Sequence, residues 1–160
     1  MLQWLTSTTL GRIIATFVIS MLPVIELRGG IPYGVGFGLN PWLALLVAML
    51  GNLAPIPFIL LLLDKILEWM KKQKGIIGSA ANFLENKAYK NQGTIEKYKA
   101  LGLIILVAIP LPGTGAWTGA LVATVLRINR KTAFPCIIIG VIIAGIVVTA
   151  ISYGFASLLG

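Results

Sequence analysis

Two ionisable side chains, Glu26 and Arg28, stand alone in an otherwise apolar part of the chain. Charges at membrane depth are costly, and they usually pair with each other or line a transport pathway. Glu26 offers a carboxylate that a proton can neutralise, and Arg28 offers a planar guanidinium that can bind phosphate or carboxylate in bidentate fashion. Gly29 and Gly30 follow directly and would expose backbone amides to an anion. The alternatives are an internal ion pair that holds the fold together, or a pair at the membrane surface.

A second group of candidate residues carries no charge and lies within Pro110–Gly119. Thr114 and Thr118 can donate hydrogen bonds to a ligand or to the carbonyl groups of a broken helix, and the second use is the more common one. Trp117 would line a cavity or anchor the chain at the membrane interface. Together with Glu26, Arg28 and the two glycines, these residues form the predicted site for substrate and protons.

The sequence predicts neither a catalytic centre nor a metal site. It has five acidic residues and no histidine, and every acid except Glu26 lies in the polar middle of the chain. Few groups are therefore left for general acid–base catalysis or metal coordination. The single cysteine, Cys136, excludes a disulfide within one chain. We expect no cofactor and no enzymatic activity.

The composition predicts an all-α integral membrane protein. Hydrophobic residues make up 58% of the 160-residue chain and charged residues only 11%, whereas a soluble domain carries about 25% charged residues. Eight of the 13 basic residues fall between Lys65 and Lys99, beside long stretches that lack any charge. This clustering is typical of cytoplasmic loops under the positive-inside rule, so the net charge of +8 does not indicate nucleic acid binding.

Two segments, Trp42–Leu63 and Thr132–Leu159, are long and apolar enough to span a bilayer, which takes about 20 residues. Asn40 is the expected N-cap of the first span and Thr132 that of the second.

The apolar stretch of residues 100–126 has the length of a span but is broken in its middle by prolines and glycines. Its two pieces, Leu101–Ile109 and Ala116–Leu126, are each about half a bilayer long as helices, which predicts a re-entrant hairpin. The hairpin also keeps Arg127 and Arg130 on the cytoplasmic side, as the positive-inside rule favours. There the two arginines would attract anionic headgroups, or act only as topology determinants.

The beginning of the chain reads as a second copy of this arrangement. Leu10–Ile25 is apolar, Pro23–Gly30 interrupts it, and Ile31–Gly38 returns. Each break contains a G-x-x-x-G sequence, at Gly30–Gly34 and Gly115–Gly119, which lets helices approach closely in lipid. Since one span separates the two hairpins, they would enter from opposite faces as an inverted repeat. The alternatives are a chance similarity, or a first helix that spans the membrane by itself.

The predicted organisation is two full spans plus two opposed re-entrant hairpins. Residues 1–63 form the first repeat, with a hairpin at about 10–38 and a span at 42–63. Residues 64–99 form a basic cytoplasmic helical segment, and residues 100–160 form the second repeat, with a hairpin at 100–126 and a span at 132–159. A single chain of two spans and two hairpins has little protein around its broken backbone segments and would bury them poorly. We therefore expect a homodimer.

The two breaks together resemble the paired motifs of the putative small multidrug export protein family. The motifs are Glu26-Leu-Arg28-Gly-Gly-Ile-Pro and Pro110-Leu-Pro-Gly-Thr-Gly-Ala-Trp117-Thr-Gly, and the resemblance covers nearly the whole chain. That family is similar in turn to the DedA superfamily, whose members have two opposed re-entrant hairpins and include proteins implicated in flipping undecaprenyl phosphate. The resemblance implies a multi-pass protein of a bacterial or archaeal plasma membrane, and it matches Glu26 with the acidic residue of the first DedA hairpin. DedA second hairpins carry arginines, whereas Pro110–Gly119 has none, so Arg28 would have to take over the binding of phosphate.

These observations predict a small membrane transporter that translocates an anionic amphiphile, such as a lipid-linked phosphate of the undecaprenyl phosphate kind. Glu26 would relay protons and Arg28 would bind the anion. The expected partners are membrane lipid, the amphiphilic substrate and protons, without nucleic acid. One alternative is proton-coupled export of drug-like compounds. Another is a non-transporting scaffold whose basic segment 64–99 docks a partner.

Overall fold

The computed structural model describes residues 7–62, 65, 92–111 and 114–159. Over these residues the chain forms helices and turns, without a strand. Most of the predicted basic segment 64–99 lies outside the described residues, and so do Pro112 and Gly113 of the second break.

Six helices organise the described chain. They are α1 Thr9–Met21, α2 Glu26–Gly36, α3 Pro41–Leu53, α4 Gln92–Ala108, α5 Ala116–Val125 and α6 Arg130–Leu159. After α3 a short turn at 54–55 precedes a further helical stretch at 56–62. Two stretches are long and apolar enough to cross a membrane, Pro41–Leu62 with 22 residues and Arg130–Gly154 with 25. Both predicted spans are thus found as apolar helices. The first is shifted by one residue at each end, and the second begins two residues earlier and ends five residues earlier than predicted.

An asparagine side chain begins each long apolar helix. Asn40 Oδ1 accepts a hydrogen bond from the Trp42 N–H at 3.0 Å, and Asn129 Oδ1 accepts one from the Lys131 N–H at 3.0 Å. An asparagine oxygen in this position satisfies an amide that the first helical turn leaves unpaired. The prediction of Thr132 as the second N-cap is therefore wrong, because Asn129 already performs this role and α6 starts earlier.

The turn before each of these caps is also the same in both halves. The short helices α2 and α5 end in a residue with left-handed backbone, Gly38 at φ 85° and Arg127 at φ 56°. The following amide then bonds back to the helix, from Leu39 N–H to the Gly34 oxygen (2.9 Å) and from Ile128 N–H to the Ala123 oxygen (2.8 Å). This is the Schellman helix ending. Both halves therefore pass from short helix to long helix through one geometry.

Helices α1 and α2 pack side by side in antiparallel orientation, through glycines of α2. A Cβ on Gly34 would lie 2.9 Å from Thr16 Oγ1, and one on Gly30 would lie 3.1 Å from the Ser20 Cβ. Thr16 and Ser20 are fully buried, and each hydroxyl donates to the carbonyl four residues earlier. The glycines of the first G-x-x-x-G sequence thus let two helices approach within one chain.

Helices α4 and α5 form the corresponding antiparallel pair. A Cβ on Gly119 of α5 would lie 2.5 Å from the Val107 side chain of α4. Lys99 Nζ of α4 donates to the oxygen of Leu126, directly after α5, at 3.1 Å. The part of α4 around Lys99 and the end of α5 therefore lie on the same side of the molecule.

The long helices α3 and α6 each contact the first helix of their own half, α1 and α4, through a glycine. Gly51 of α3 packs against the backbone of Phe17 in α1, and Gly140 of α6 packs against Val107 and the Ile104 carbonyl in α4. The first half of the chain (α1 to α3) meets the second half (α4 to α6) where α2 and α3 contact α6. The core between the halves is apolar, with fully buried side chains including Leu27, Ile31, Ile56, Ile137 and Val141.

Two boundaries differ from the sequence-based expectation. The first break was predicted at Pro23–Gly30, but the chain leaves helix only at 22–25, and α2 begins at Glu26. The reason is that Gly29 and Gly30 are in helix α2, where Gly30 makes room for α1. In the second half, α4 begins at Gln92 and so extends into the segment that was predicted as a separate basic region.

Candidate functional site

The carboxylate of Glu26 reaches from the first break to the start of α5. Glu26 is only 3% exposed, and its Oε1 accepts a hydrogen bond from the Trp117 N–H at 3.2 Å. The first amides of a helix lack partners within the helix and carry partial positive charge, so they favour an anion. Glu26 also has a left-handed backbone, with φ 52°, which costs a non-glycine residue about 1–2 kcal/mol. Packing therefore holds this carboxylate at the N-terminus of α5 against a backbone preference.

Gly115 makes room for that carboxylate. Its backbone angles are φ 125° and ψ −167°, a conformation that is accessible essentially only to glycine. A Cβ built here would overlap the Glu26 carboxylate, lying 2.7 Å from its Cδ. The glycine is thus required both by its own backbone and by the side chain that lies on it.

The guanidinium of Arg28 also binds the second break, at the end of α4, whereas Glu26 binds the start of α5. It donates to the Leu111 oxygen, to the Ile109 oxygen at 3.1 Å and to Thr114 Oγ1 at 2.9 Å. The carbonyl end of a helix carries partial negative charge and favours a cation. Arg28 Nε is buried and has no hydrogen-bond partner within the described part of the chain. Arg28 thus stabilises the end of α4 while one of its donors remains unused.

Thr114 and Trp117 complete the hydrogen bonds between the breaks. Thr114 Oγ1 lies 2.7 Å from the Ile109 oxygen and 2.8 Å from the Leu111 oxygen, so its one hydroxyl hydrogen is shared between two carbonyls of the broken helix. Trp117 Nε1 donates to the Met21 oxygen at the end of α1, at 3.2 Å. The indole is half-buried. It bonds the end of the other half's first helix, as Arg28 does in return.

The residues from Glu26 onward are also those that a family model matches. The model, described as putative small multi-drug export protein, covers residues 26–147 and so includes Glu26, Arg28, the second break and most of α6. The chain belongs to this family. No curated protein and no solved structure matches the chain. Together with the two apolar spans, membership of the small multi-drug export family indicates a helical membrane protein.

In this member of the small multi-drug export family, the predicted site residues separate into two groups. Glu26, Arg28, Thr114 and Trp117 meet at the junction of the two breaks. Gly29 does not present a free amide to an anion, because its N–H donates to the Ile25 oxygen at 3.1 Å.

Four other predicted residues take no part in the bonds of Glu26 and Arg28 given above. Gly30 is packed on Ser20 instead of facing a ligand. Thr118 lies half-buried in the first turn of α5. Arg127 and Arg130 lie beyond the far end of α5, near the side where Lys99 bonds the Leu126 oxygen.

Some features of the junction carry no signal in the sequence. The Met21 carbonyl is an acceptor that any residue type would supply, and the contact of Gly115 with Glu26 depends on packing. Outside the junction, the side-chain amide of Asn52 in α3 is fully buried and has no hydrogen-bond partner within the described residues.

Proposed function

We propose that this protein is a transporter that moves an anionic amphiphile across the bilayer, with the junction of the two breaks as its binding site. One observation carries the proposal: a buried carboxylate, Glu26, occupies the N-terminus of α5 while Arg28 lies on the same break. A helix N-terminus beside a guanidinium favours phosphate or carboxylate. In the described conformation Glu26 takes the position that the anionic group of a substrate would take.

Competition between Glu26 and the substrate then couples transport to protons. A protonated Glu26 binds the α5 amides less strongly, because it no longer brings a negative charge to the positive end of the helix. Its release exposes those amides to the substrate anion, and Arg28 can turn from the α4 carbonyls toward the same group. When Glu26 loses its proton, its carboxylate returns and displaces the substrate.

The proposed membrane arrangement places this junction at mid-depth, between the tips of two opposed re-entrant hairpins. The equal helix endings at Gly38 and Arg127 and the equal caps at Asn40 and Asn129 support an inverted repeat. The bond between Lys99 and the Leu126 oxygen supports a second hairpin that begins and ends on one face. Irregular backbone at membrane depth requires burial in protein, which the contacts between the breaks supply. We further propose a plasma-membrane homodimer with segment 64–99 in the cytoplasm.

Cysteine labelling tests this topology. After Cys136→Ala removes the native thiol, single cysteines at Gln92 and at Asn129 should both react with an impermeant maleimide only from the cytoplasmic side. A cysteine replacing Asn40, the equivalent cap in the first half, should react only from outside and serves as the matched control. External labelling at position 129 would mean that α4 and α5 together cross the membrane, which contradicts the inverted repeat.

Substrate flux in proteoliposomes tests the function itself. We expect the purified protein to accelerate transbilayer movement of a polyprenyl phosphate at least tenfold over protein-free vesicles, and to leave a cationic dye unaffected. The family description favours a second candidate, proton-coupled drug export, for which the dye would move and the phosphate would not. Movement of neither compound would favour the scaffold, in which the basic segment 64–99 carries the function.

A further inference from the structure

A groove of about 440 Å³ lies between the beginning of α3 and the second half of α6, and none of Glu26, Arg28, Thr114 and Trp117 lines it. Trp42 and Tyr153 flank it and are 69% and 58% exposed, and Ile146 forms part of its apolar wall. The side chains around the groove carry no charge. Its size is within the range of small-molecule sites.

Thr149 gives this groove one specific polar group. It lines the groove, is 7% exposed, and its buried hydroxyl has no hydrogen-bond partner within the described residues. The other buried hydroxyls of the described helices, on Thr16, Ser20 and Thr124, all donate to the carbonyl four residues earlier. A buried hydroxyl without a partner costs about 1–3 kcal/mol. The Thr149 hydroxyl thus does not bond the carbonyl four residues earlier, as its counterparts do, and an acceptor from outside the chain would relieve this cost.

The depth of Thr149 identifies the chemistry of that acceptor. Lys131 marks the charged beginning of α6, and Thr149 lies about 27 Å further along it at about 1.5 Å per residue. The hydrocarbon core is about 30 Å thick, so Thr149 reaches the opposite boundary of the hydrocarbon. There the acyl chains of a lipid join their ester groups. Exposed Trp42 and Tyr153 fit the same level, because aromatic residues concentrate at the membrane interface.

We propose that this groove binds a phospholipid of the leaflet on the side where α3 begins. One acyl chain lies against Ile146 and Ala150, and the Thr149 hydroxyl donates to an ester carbonyl oxygen of the lipid. Trp42 and Tyr153 enclose the glycerol region. The site is uncharged, so it recognises the ester and the chain and does not depend on the headgroup. It is separate from the transport site at Glu26 and Arg28.

Binding of dioleoyl phosphatidylcholine to the full-length protein in detergent tests the proposal, with bound lipid counted by native mass spectrometry. This lipid has no net charge, so basic residues do not attract it by charge alone. Thr149→Val keeps the shape of the side chain but removes the donor, and it should weaken retention of one lipid about fivefold, as loss of one hydrogen bond predicts. Ala150→Phe should fill the groove and abolish that binding. Thr149→Ser and the lipid-facing control Ile139→Phe should bind as the wild type does.

A thermal measurement keeps the test decisive if Ala150→Phe does not fold. Without lipid, Thr149→Val should be at least as stable as the wild type, because an unpaired hydroxyl is gone. Added lipid should raise the Tm of the wild type more than that of Thr149→Val, since a ligand stabilises only the state that binds it. Equal lipid retention and equal Tm gains in both proteins would overturn the proposal. It would also be overturned if Ala150→Phe converted a dimer into monomers without changing lipid binding, because a second copy would then occupy the groove. Flux of the transported substrate should be unchanged in Thr149→Val.

Discussion

Replacing Arg28 with lysine should lower substrate flux about a hundredfold while the protein still folds. The guanidinium donates to two backbone oxygens and to Thr114 Oγ1 at once. An ammonium is a point charge without this planar fork. In the transport state the substrate anion would lose one of the two bonds of this fork, and a charge-assisted bond contributes up to about 3 kcal/mol, or roughly two factors of ten in flux. The measurement is initial flux in proteoliposomes, with equal amounts of correctly inserted protein.

Substitutions of Glu26 separate a functional pair from a structural one. Glu26→Gln keeps an oxygen for the Trp117 N–H but cannot titrate, so flux should lose its pH dependence. Removal of one of two neighbouring opposite charges leaves the other with less compensation in lipid, although each keeps its bonds to a helix end. The double variant Glu26→Gln with Arg28→Gln should therefore be more stable than Arg28→Gln alone. Its flux should nevertheless be lost, because neither proton nor anion has a site.

The flux of the double variant can also contradict the mechanism directly. If it is folded, inserted and transports at the wild-type rate, Glu26 and Arg28 serve only to clasp the two breaks together. Preserved pH dependence in Glu26→Gln would likewise remove Glu26 from proton coupling while leaving Arg28 as an anion site.

Substitution of Gly115 by alanine should be the most damaging single-methyl change in the described chain. Its backbone conformation costs a residue with a Cβ of order 1–3 kcal/mol, and the added methyl would overlap the Glu26 carboxylate. Since neither the backbone of α5 nor the buried carboxylate can move freely, we expect a loss of about 3 kcal/mol or more in stability. Flux should fall with it, because Glu26 is displaced from α5.

Gly102→Ala provides the matched control for Gly115→Ala. Gly102 lies in α4, and a Cβ there would meet nothing within 4 Å. Alanine in a helix interior is about 0.5–1 kcal/mol more favourable than glycine, so this variant should be neutral or slightly more stable. Thermal unfolding in detergent measures both variants. A Gly115→Ala protein as stable and as active as Gly102→Ala would contradict the described contact with Glu26.

The sequence alone predicted the elements whose signals are local. Length and hydropathy indicated both apolar spans, and the prolines and glycines after Ile109 indicated that one stretch is broken. Asn40 was recognisable as a cap because the signal lies within a few residues of the helix it starts. Glu26 and Arg28 were found because an isolated charge in an apolar segment is costly in lipid. The family resemblance rested on the same two motifs.

Only the tertiary structure decided what those residues contact. The bonds of Glu26 and Arg28 join residues 81 to 91 positions apart, and no local pattern specifies such a partner. Gly30 looked like part of an anion-binding loop because glycine serves loops and close helix packing equally well. Its role became definite only when α1 was in place against it. The sequence thus determined which residues are costly to bury, whereas packing determined that helix ends of the opposite half offset that cost.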